Sequence, residues 1–565
     1  MLRKCIYSSM VLSYALINSL NCQETYFFKH YGGGSTQQGR RVLMADSSFY
    51  VVGTRTGGNL DKGFFSRINS SGELVMNVDL QSGTNSLTWV NSGIKSRDGN
   101  FLVTGISLEA CGNCTYDAYL AKIDVFGQVL SEAVIGGATS HEMSYDLYEH
   151  PDGNLYFAGA IGNTVGSSFY FFKTDSSGNL IFDEKYLYPN FNWFTYLYGS
   201  SGGTYVAAGI GNSSIDSSVV RFYRLDENGN ILLEKTVRAL DWTYCEGFQP
   251  TNDGGWLAVG GTVSSPPFDG GASIIKVDSM FDVDWTFVAG FSSDLGAFHA
   301  IDTLSNGQLI LVGSGRSSSA GWDDIQISGF SRDGKHLWSR EIGKPDLMDD
   351  AYDLFIEDDD DILVTGTTAS YTSPGSTSDV FLWKVNCLGF MNSPEASFTT
   401  TFDSLDPNTT IFINASQYAG SYHWDFGDGD SSSITSPTHT YSDTGLYIVT
   451  LIAFGCKGER DTLIDTIRVG SVVTEGIWHN TFDTDLDVYP NPVASDIFVH
   501  IHPDLSDGCT QFYRLYDARG TLTCEGTLSV SSGQNRINVE GFTPGLYLLA
   551  IWCDDSIRNF RLIKK

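Results

Sequence analysis

Few residues in this 565-residue chain stand at spacings that do chemistry. The sharpest pair is Cys111-Gly-Asn-Cys114. A zinc site needs about four such ligands, and no second Cys-x-x-Cys or matching His pair follows. The spacing therefore points to a local disulfide clip. Asp358–Asp361 is a run of four acids and reads as a solvated turn. Asp425, Asp428 and Asp430 sit in a glycine-rich turn. Calcium binding there is the alternative to simple turn-making, and no other cofactor is suggested. Trp322-Asp323-Asp324 and Pro266-Pro267-Phe268-Asp269 set an aromatic ring beside a carboxylate, as sugar sites do, with loop anchoring as the alternative. Two carboxylates at a defined separation can hydrolyse a glycosidic bond, but 66 acidic residues make such pairs cheap. No Ser-His-Asp order, HExxH or GxSxG stands in a believable context. The sequence thus names no catalytic residue. An enzyme would need carboxylates, or His and Tyr, converging at the central opening of a ring.

A repeat must position these residues. Apolar runs close on Gly53, Gly105, Gly159, Gly209, Gly260, Gly313 and Gly366, at intervals of 52, 54, 50, 51, 53 and 53 residues. A second marker keeps the same period. Asn69, Asp124, Asp175, Asp226, Asp278, Ser331 and Asn386 each open a turn that ends in glycine three residues later, except that Phe281 stands there in the fifth copy. Periods of this size belong to solenoids, propellers or arrays. Runs such as VVGTR, FLVTG, YLAKI and VFLWK are short, rich in β-branched and aromatic residues, and bounded by DGN-type turns. No helical period appears after residue 22. About four strands per copy, seven times over, predict an all-β fold with a seven-bladed β-propeller over residues 23–392.

The seventh copy lacks its fourth strand. Residues 25–31, followed by Gly32-Gly33, align with Val129–Ile135 followed by Gly136-Gly137. The first strand is therefore expected to complete the last blade and remove an exposed sheet edge. Loops between second and third strands are long and variable: Thr54–Lys62, Ile106–Asp117, Ala160–Ser168, Ile210–Ser217, Thr262–Gly271, Ser314–Asp323 and Thr367–Asp379. They are expected on one face, and variable loops on a rigid scaffold are where binding usually lives.

The net charge of −32 argues against nucleic acid, which needs basic stripes, and against an anionic membrane surface. Residues 1–22 carry Arg3, Lys4 and an apolar run through Met10–Leu20. They read as a secretory signal peptide, too short to span a membrane. No other run reaches the ~18 apolar residues of a membrane helix, so none is expected in the mature protein. Cysteines beyond the leader permit disulfides in an exported protein without assigning them.

Residues 393–470 change character. Trp424-Asp425-Phe426-Gly427-Asp428-Gly429 forms a hairpin turn, His439 and Tyr441 follow, and Tyr447-x-Val449-x-Leu451 alternates as a half-buried strand. Many short strands here predict a β-sandwich. The WDFGDG, H-x-Y and G-x-Y-x-V-x-L elements resemble the PKD domain family, which implies an immunoglobulin-like spacer or adhesion module. Residues 471–484 read as a linker. Residues 485–565 form another small β unit, again expected as an immunoglobulin-like sandwich. It opens with Tyr489-Pro490-Asn491-Pro492, turns at Asp517-x-x-Gly520, continues through Gly545-x-Tyr547 and ends in Lys564-Lys565. These elements are similar to the type A C-terminal sorting domain of type IX secretion substrates in the Bacteroidetes phylum. The resemblance implies recognition by the type IX secretion machinery and removal of the domain near residues 471–484. The passenger would then sit on the cell surface or be released. The expected function is an exported binding or adhesion protein whose propeller loops take a glycan or an extracellular protein. The alternatives are a polysaccharide-acting hydrolase or lyase, and a structural surface or matrix component.

Overall fold

The computed structural model describes residues 26–470 and 486–565, apart from 58–59, 84–85, 110–114, 138–139, 164–165, 188–191, 201, 215–216, 265–269, 290–294, 317–322, 345–346, 403–405, 407, 502–510, 518–520, 530–533 and 554–555. The leader, the linker, Cys111, Cys114 and Gly520 lie outside the described residues. The described residues form strands and turns with no helix. The chain packs as two compact units. One holds residues up to Thr399 with Phe412–Pro437 and Ile448–Asp465. The other holds Thr400–Ile411, Thr438–Tyr447 and Thr466–Lys565.

The first unit contains the propeller. Antiparallel four-stranded sheets follow one another along the chain. One nine-stranded sheet spans two successive copies, joined where the short strand Trp242–Thr243 pairs with both Ser217–Asp226 and Trp256–Val263. The inner strands are Thr36–Ala45, Ser86–Lys95, His141–Glu149, Asn192–Gly199, Gly247–Pro250, Leu295–Thr303 and Asp349–Ile356. Each touches the next, and the last touches the first, so they circle one axis. Middle strands such as Ser48–Thr56 are buried at nearly every residue, because a neighbouring sheet covers each face. Outer strands such as Leu74–Leu80 alternate. The opening strand Phe27–Tyr31 pairs with Asp379–Val385, Phe27 opposite Lys384 and Tyr31 opposite Val380.

The break in the second marker has a physical account. Phe281 adopts a left-handed backbone, φ 61°, and donates its N–H to the Asp278 carbonyl, as glycine does elsewhere. That conformation costs an L-residue ~1–2 kcal/mol. Phe281 offsets it by full burial against Phe222, ring centroids 5.5 Å apart.

Around Trp424, Phe398 and Phe412 pack with ring centroids at 5.2 and 5.3 Å, and the indole N–H reaches the Ile434 carbonyl at 3.0 Å. Gly427 must be glycine: a Cβ there would lie 2.4 Å from the Ile448 carbonyl oxygen. At the C-terminal end, Leu486–Tyr489, Asp496–Ile501 and Gln534–Asn538 form one sheet. Leu522–Leu528, Gln511–Asp517, Gly545–Cys553 and Ser556–Lys564 form another. Val493, Ile497, Val499, Leu515, Tyr547, Leu549 and Leu562 make their common core.

Candidate functional site

The glycines that mark the repeat report on the residues opposite them. In the inner strands the pairing register slips between Gly39 and Arg41, Val90 and Ser92, Ser144 and Asp146, Phe194 and Tyr196, Phe298 and Ala300, and Ala351 and Asp353. In the remaining copy, Tyr244 and Glu246 bond on either side of Gly260. Each slip is a β-bulge, which leaves one residue unpaired and re-aims its side chain. It also pushes a carbonyl against the marker glycine. A Cβ on Gly105 would fall 1.9 Å from the Trp89 oxygen, and one on Gly366 would fall 2.0 Å from that of Asp350. The repeat therefore keeps a glycine because it keeps a bulge.

The bulged residues are Arg40, Asn91, Tyr145, Thr195, Glu246, His299 and Tyr352, one per copy, and each is partly exposed. They are chemically unlike one another, and several converge. The Arg40 guanidinium lies over the Tyr352 ring at 4.4 Å. His299 and Tyr352 meet edge to face at 5.5 Å, and His299 Nε2 is 3.3 Å from Asp350 Oδ1. Asn91 donates to the Ser144 carbonyl at 2.9 Å, and Thr195 to that of Cys245 at 3.1 Å. These bonds stitch neighbouring inner strands together.

Beside this ring lies a buried ion cluster. Arg41 sits 3.2 Å from Asp353 and 3.5 Å from Asp146. Asp146 also accepts from the Ser92 hydroxyl at 2.7 Å and the Leu197 N–H at 3.0 Å, and Asp353 accepts from the Val42 N–H at 2.8 Å. One cation thus serves two anions. For Arg41, burial favours the neutral form, but the two carboxylates outweigh it and hold its pKa up. For the acids the balance reverses. Burial outweighs Arg41, raising Asp146 and carrying Asp353 to about 6.

The bulge ring is perturbed too. Burial raises Glu246, partly countered by His299 and Arg40. Burial alone would lower His299, but Asp350 reverses the sign and raises it. Pairs of titratable groups pushed in useful directions are a feature of functional sites. Sequence reading missed all of these residues. The available signal was the marker glycine, since the side chains that matter stand thirteen or fourteen residues before it.

The residues singled out earlier fall elsewhere. Pro266–Phe268 and Trp322 lie outside the described residues, as do parts of six of the seven variable loops. The described loop Ala369–Ser378 is tied down by its neighbours. Asp349 accepts from the N–H groups of Ala369 and Ser370, and Asp379 accepts from Ser373. The acidic run is not a solvated turn throughout. Asp361 is buried and ion-paired with Lys384 and Lys457. Its neighbours Glu357 and Asp359 take the same lysines. Asp425 Oδ1 accepts from the Gly427 N–H and Asp428 Oδ1 from that of Asp430, as turn-making needs, and Asp428, Asp430 and His439 bring ligand atoms within 4.8 Å of one another, as a cation would need. His439 stacks edge-on against Tyr441 at 4.5 Å. In the C-terminal unit, Asn491 bonds the Arg561 carbonyl and the Ile563 N–H, both at 2.8 Å. Val493 and Lys565 continue that pairing, and Tyr489 accepts from Gln534. The YPNP segment is thereby joined to the basic end. Asp517 closes its turn on the Thr521 N–H at 2.9 Å, and buried Tyr547 donates to the Thr543 carbonyl. Cys387 and Cys456 form a disulfide, and Cys245 and Cys524 are free thiols.

Residues 393–469 match the family model of the PKD domain, and residues 487–565 match that of the secretion system C-terminal sorting domain. The pre-pro-metalloprotease PrtV of Vibrio cholerae is 47% identical over 49 residues, 9% of this chain. The chain spans 5% of that relative's length. The solved PKD1 domain of the V. cholerae metalloprotease PrtV is 33% identical over 14% of this chain and 100% of its own, with a TM-score of 0.13. The polysaccharide lyase Uly1 covers 63% of this chain and 91% of its own at 10% identity, with a TM-score of 0.40. The chain is an exported all-β protein. More narrowly, it joins a β-propeller to a PKD domain and a sorting domain that engages type IX secretion, which delivers it to the cell surface or the medium. Among the described residues no helix is long and apolar enough to cross a membrane.

Proposed function

We propose that this protein binds an extracellular glycan at the axis of a seven-bladed propeller, through the bulged residues. The observation that carries the reading is the bulge repeat itself. A rigid, glycine-dependent scaffold sets Arg40, Tyr145, Glu246, His299 and Tyr352 at one register position. Aromatic faces beside carboxylates and a guanidinium suit sugar rings and hydroxyls. The test is a glycan array probed with the exported protein and with Tyr352→Ala and Tyr145→Ala. Binding that disappears in both variants, at unchanged melting temperature, supports the reading. Binding that survives both but is lost on shortening residues 369–378 moves the site to the loop face. No binding to any glycan defeats it.

A second reading is a polysaccharide hydrolase or lyase. It is favoured by the His299–Asp350 pair at 3.3 Å, with Glu246 and tyrosines alongside. New reducing ends or unsaturated products from a glycan that binds, abolished by His299→Gln with binding retained, would establish it.

A further inference from the structure

The resemblance to the PKD family implies a spacer or an adhesion module. The domain's contacts point elsewhere. The turn Gly455–Glu459 carries Cys456 and Lys457. Cys456 is bonded to Cys387, two residues beyond the strand Asp379–Val385 that receives the opening strand. Lys457 reaches the acidic turn of the same sheet. Its ammonium pairs with Asp361 and lies 2.8 Å from Asp359. Asp361 is buried and is shared. It also accepts from the hydroxyl of Tyr26, the residue just before the opening strand, at 3.2 Å. Its other oxygen lies 3.5 Å from Lys384, the register partner of Phe27. Lys384 in turn is 2.5 Å from Glu357. One carboxylate therefore joins the strand that enters the sheet, the strand that receives it, and the PKD turn.

The backbone of the turn is a tight hairpin that presents Cys456 and Lys457 side by side: the Glu459 N–H bonds the Cys456 carbonyl at 2.8 Å. Lys457 holds a left-handed φ of 55°, an unfavourable place for a residue with a Cβ. The hairpin requires it, with Gly458 following at φ 77°, and the disulfide and two ion pairs then fix where the turn sits. Packing continues alongside. Gly420 abuts Leu388, Phe390 meets Tyr418 edge-on at 5.5 Å, and the Ala396 N–H bonds Asp461 at 2.8 Å.

We propose that the turn Gly455–Glu459 is the clasp of the propeller ring: it locks the opening strand in place through Asp361 and the Cys387–Cys456 bond. The PKD domain is then part of the working propeller and must stay with it when the sorting domain is removed. This inference does not depend on what the propeller binds.

Hydrogen exchange on the full chain tests it, read by mass spectrometry over residues 26–31, 155–163 and 445–470. The samples are the native protein, Lys457→Gln, the Cys387→Ser/Cys456→Ser pair, and the native protein reduced after folding. The clasp predicts that residues 26–31 exchange faster in every altered sample, on the order of tenfold, while residues 155–163 stay unchanged. If only residues 445–470 speed up, the PKD domain is merely tethered and the proposal fails. Uniform acceleration defeats it as well, since a clasp acts locally. Should the cysteine pair fail to fold, the reduced native protein answers the same question.

Discussion

Two buried aspartates solve the same problem differently. Asp353, near the axis, shares a single guanidinium with Asp146, and burial wins, carrying its pKa to about 6. Asp361, at the closing blade, is met by two ammonium groups and a tyrosine hydroxyl. At the axis one cation serves two carboxylates; at the seam two ammonium groups serve three, Glu357, Asp359 and Asp361. Removing two charges from water costs more than their attraction returns unless further hydrogen bonds complete the set. At the axis, backbone N–H groups from Val42 and Leu197 supply part of that completion. The axial cluster therefore hangs on a single cation, while the seam spreads its pairing over two.

The comparison can be broken most directly at its single cation. Arg41→Met strands two buried carboxylates, and denaturant melting should show a loss of ~3–5 kcal/mol. Lys457→Gln leaves Lys384 on Asp361 and should cost ~1.4 kcal/mol, the equivalent of the tenfold faster exchange expected of residues 26–31. Equal losses would erase the distinction. A second, smaller effect is pH dependence. The folded pKa of Asp353, about 6, lies above the ordinary 3.8. The folded state therefore keeps this proton after the unfolded chain has lost it. The contribution is fully present below about pH 4 and is lost as pH rises through 6. Stability measured across that window should fall more steeply in the native protein than in Asp353→Asn. The smallest effect is expected at Arg514, which pairs with Glu525 in the open at 2.8 Å. Arg514→Gln should leave the melting curve superimposable on that of the native protein, a reference for what an unburied pair is worth.

Much of the architecture was legible because it repeats. A glycine at a fixed period, a turn residue at the same period and strand-length apolar runs left little room for another fold. The exported, multidomain plan was legible because WDFGDG and YPNP are local strings. The bulge residues were not, since Arg40, Asn91, Tyr145, Thr195, Glu246, His299 and Tyr352 share no chemical type. Only their pairing with an invariant glycine unites them, and pairing is a long-range property. The Cys387–Cys456 bond was hidden for the same reason: its partners are 69 residues apart and come together only once both domains have formed.

The pairing of Phe27 with Lys384 carries a consequence in time. The first described strand finds its partner only in the last strand of the propeller. Its backbone groups wait, unpaired, through the making of every other sheet. Contacts so distant in sequence form slowly, because the intervening chain must be ordered first. The native ladder of Phe27–Tyr31 cannot form before Asp379–Val385 has been made.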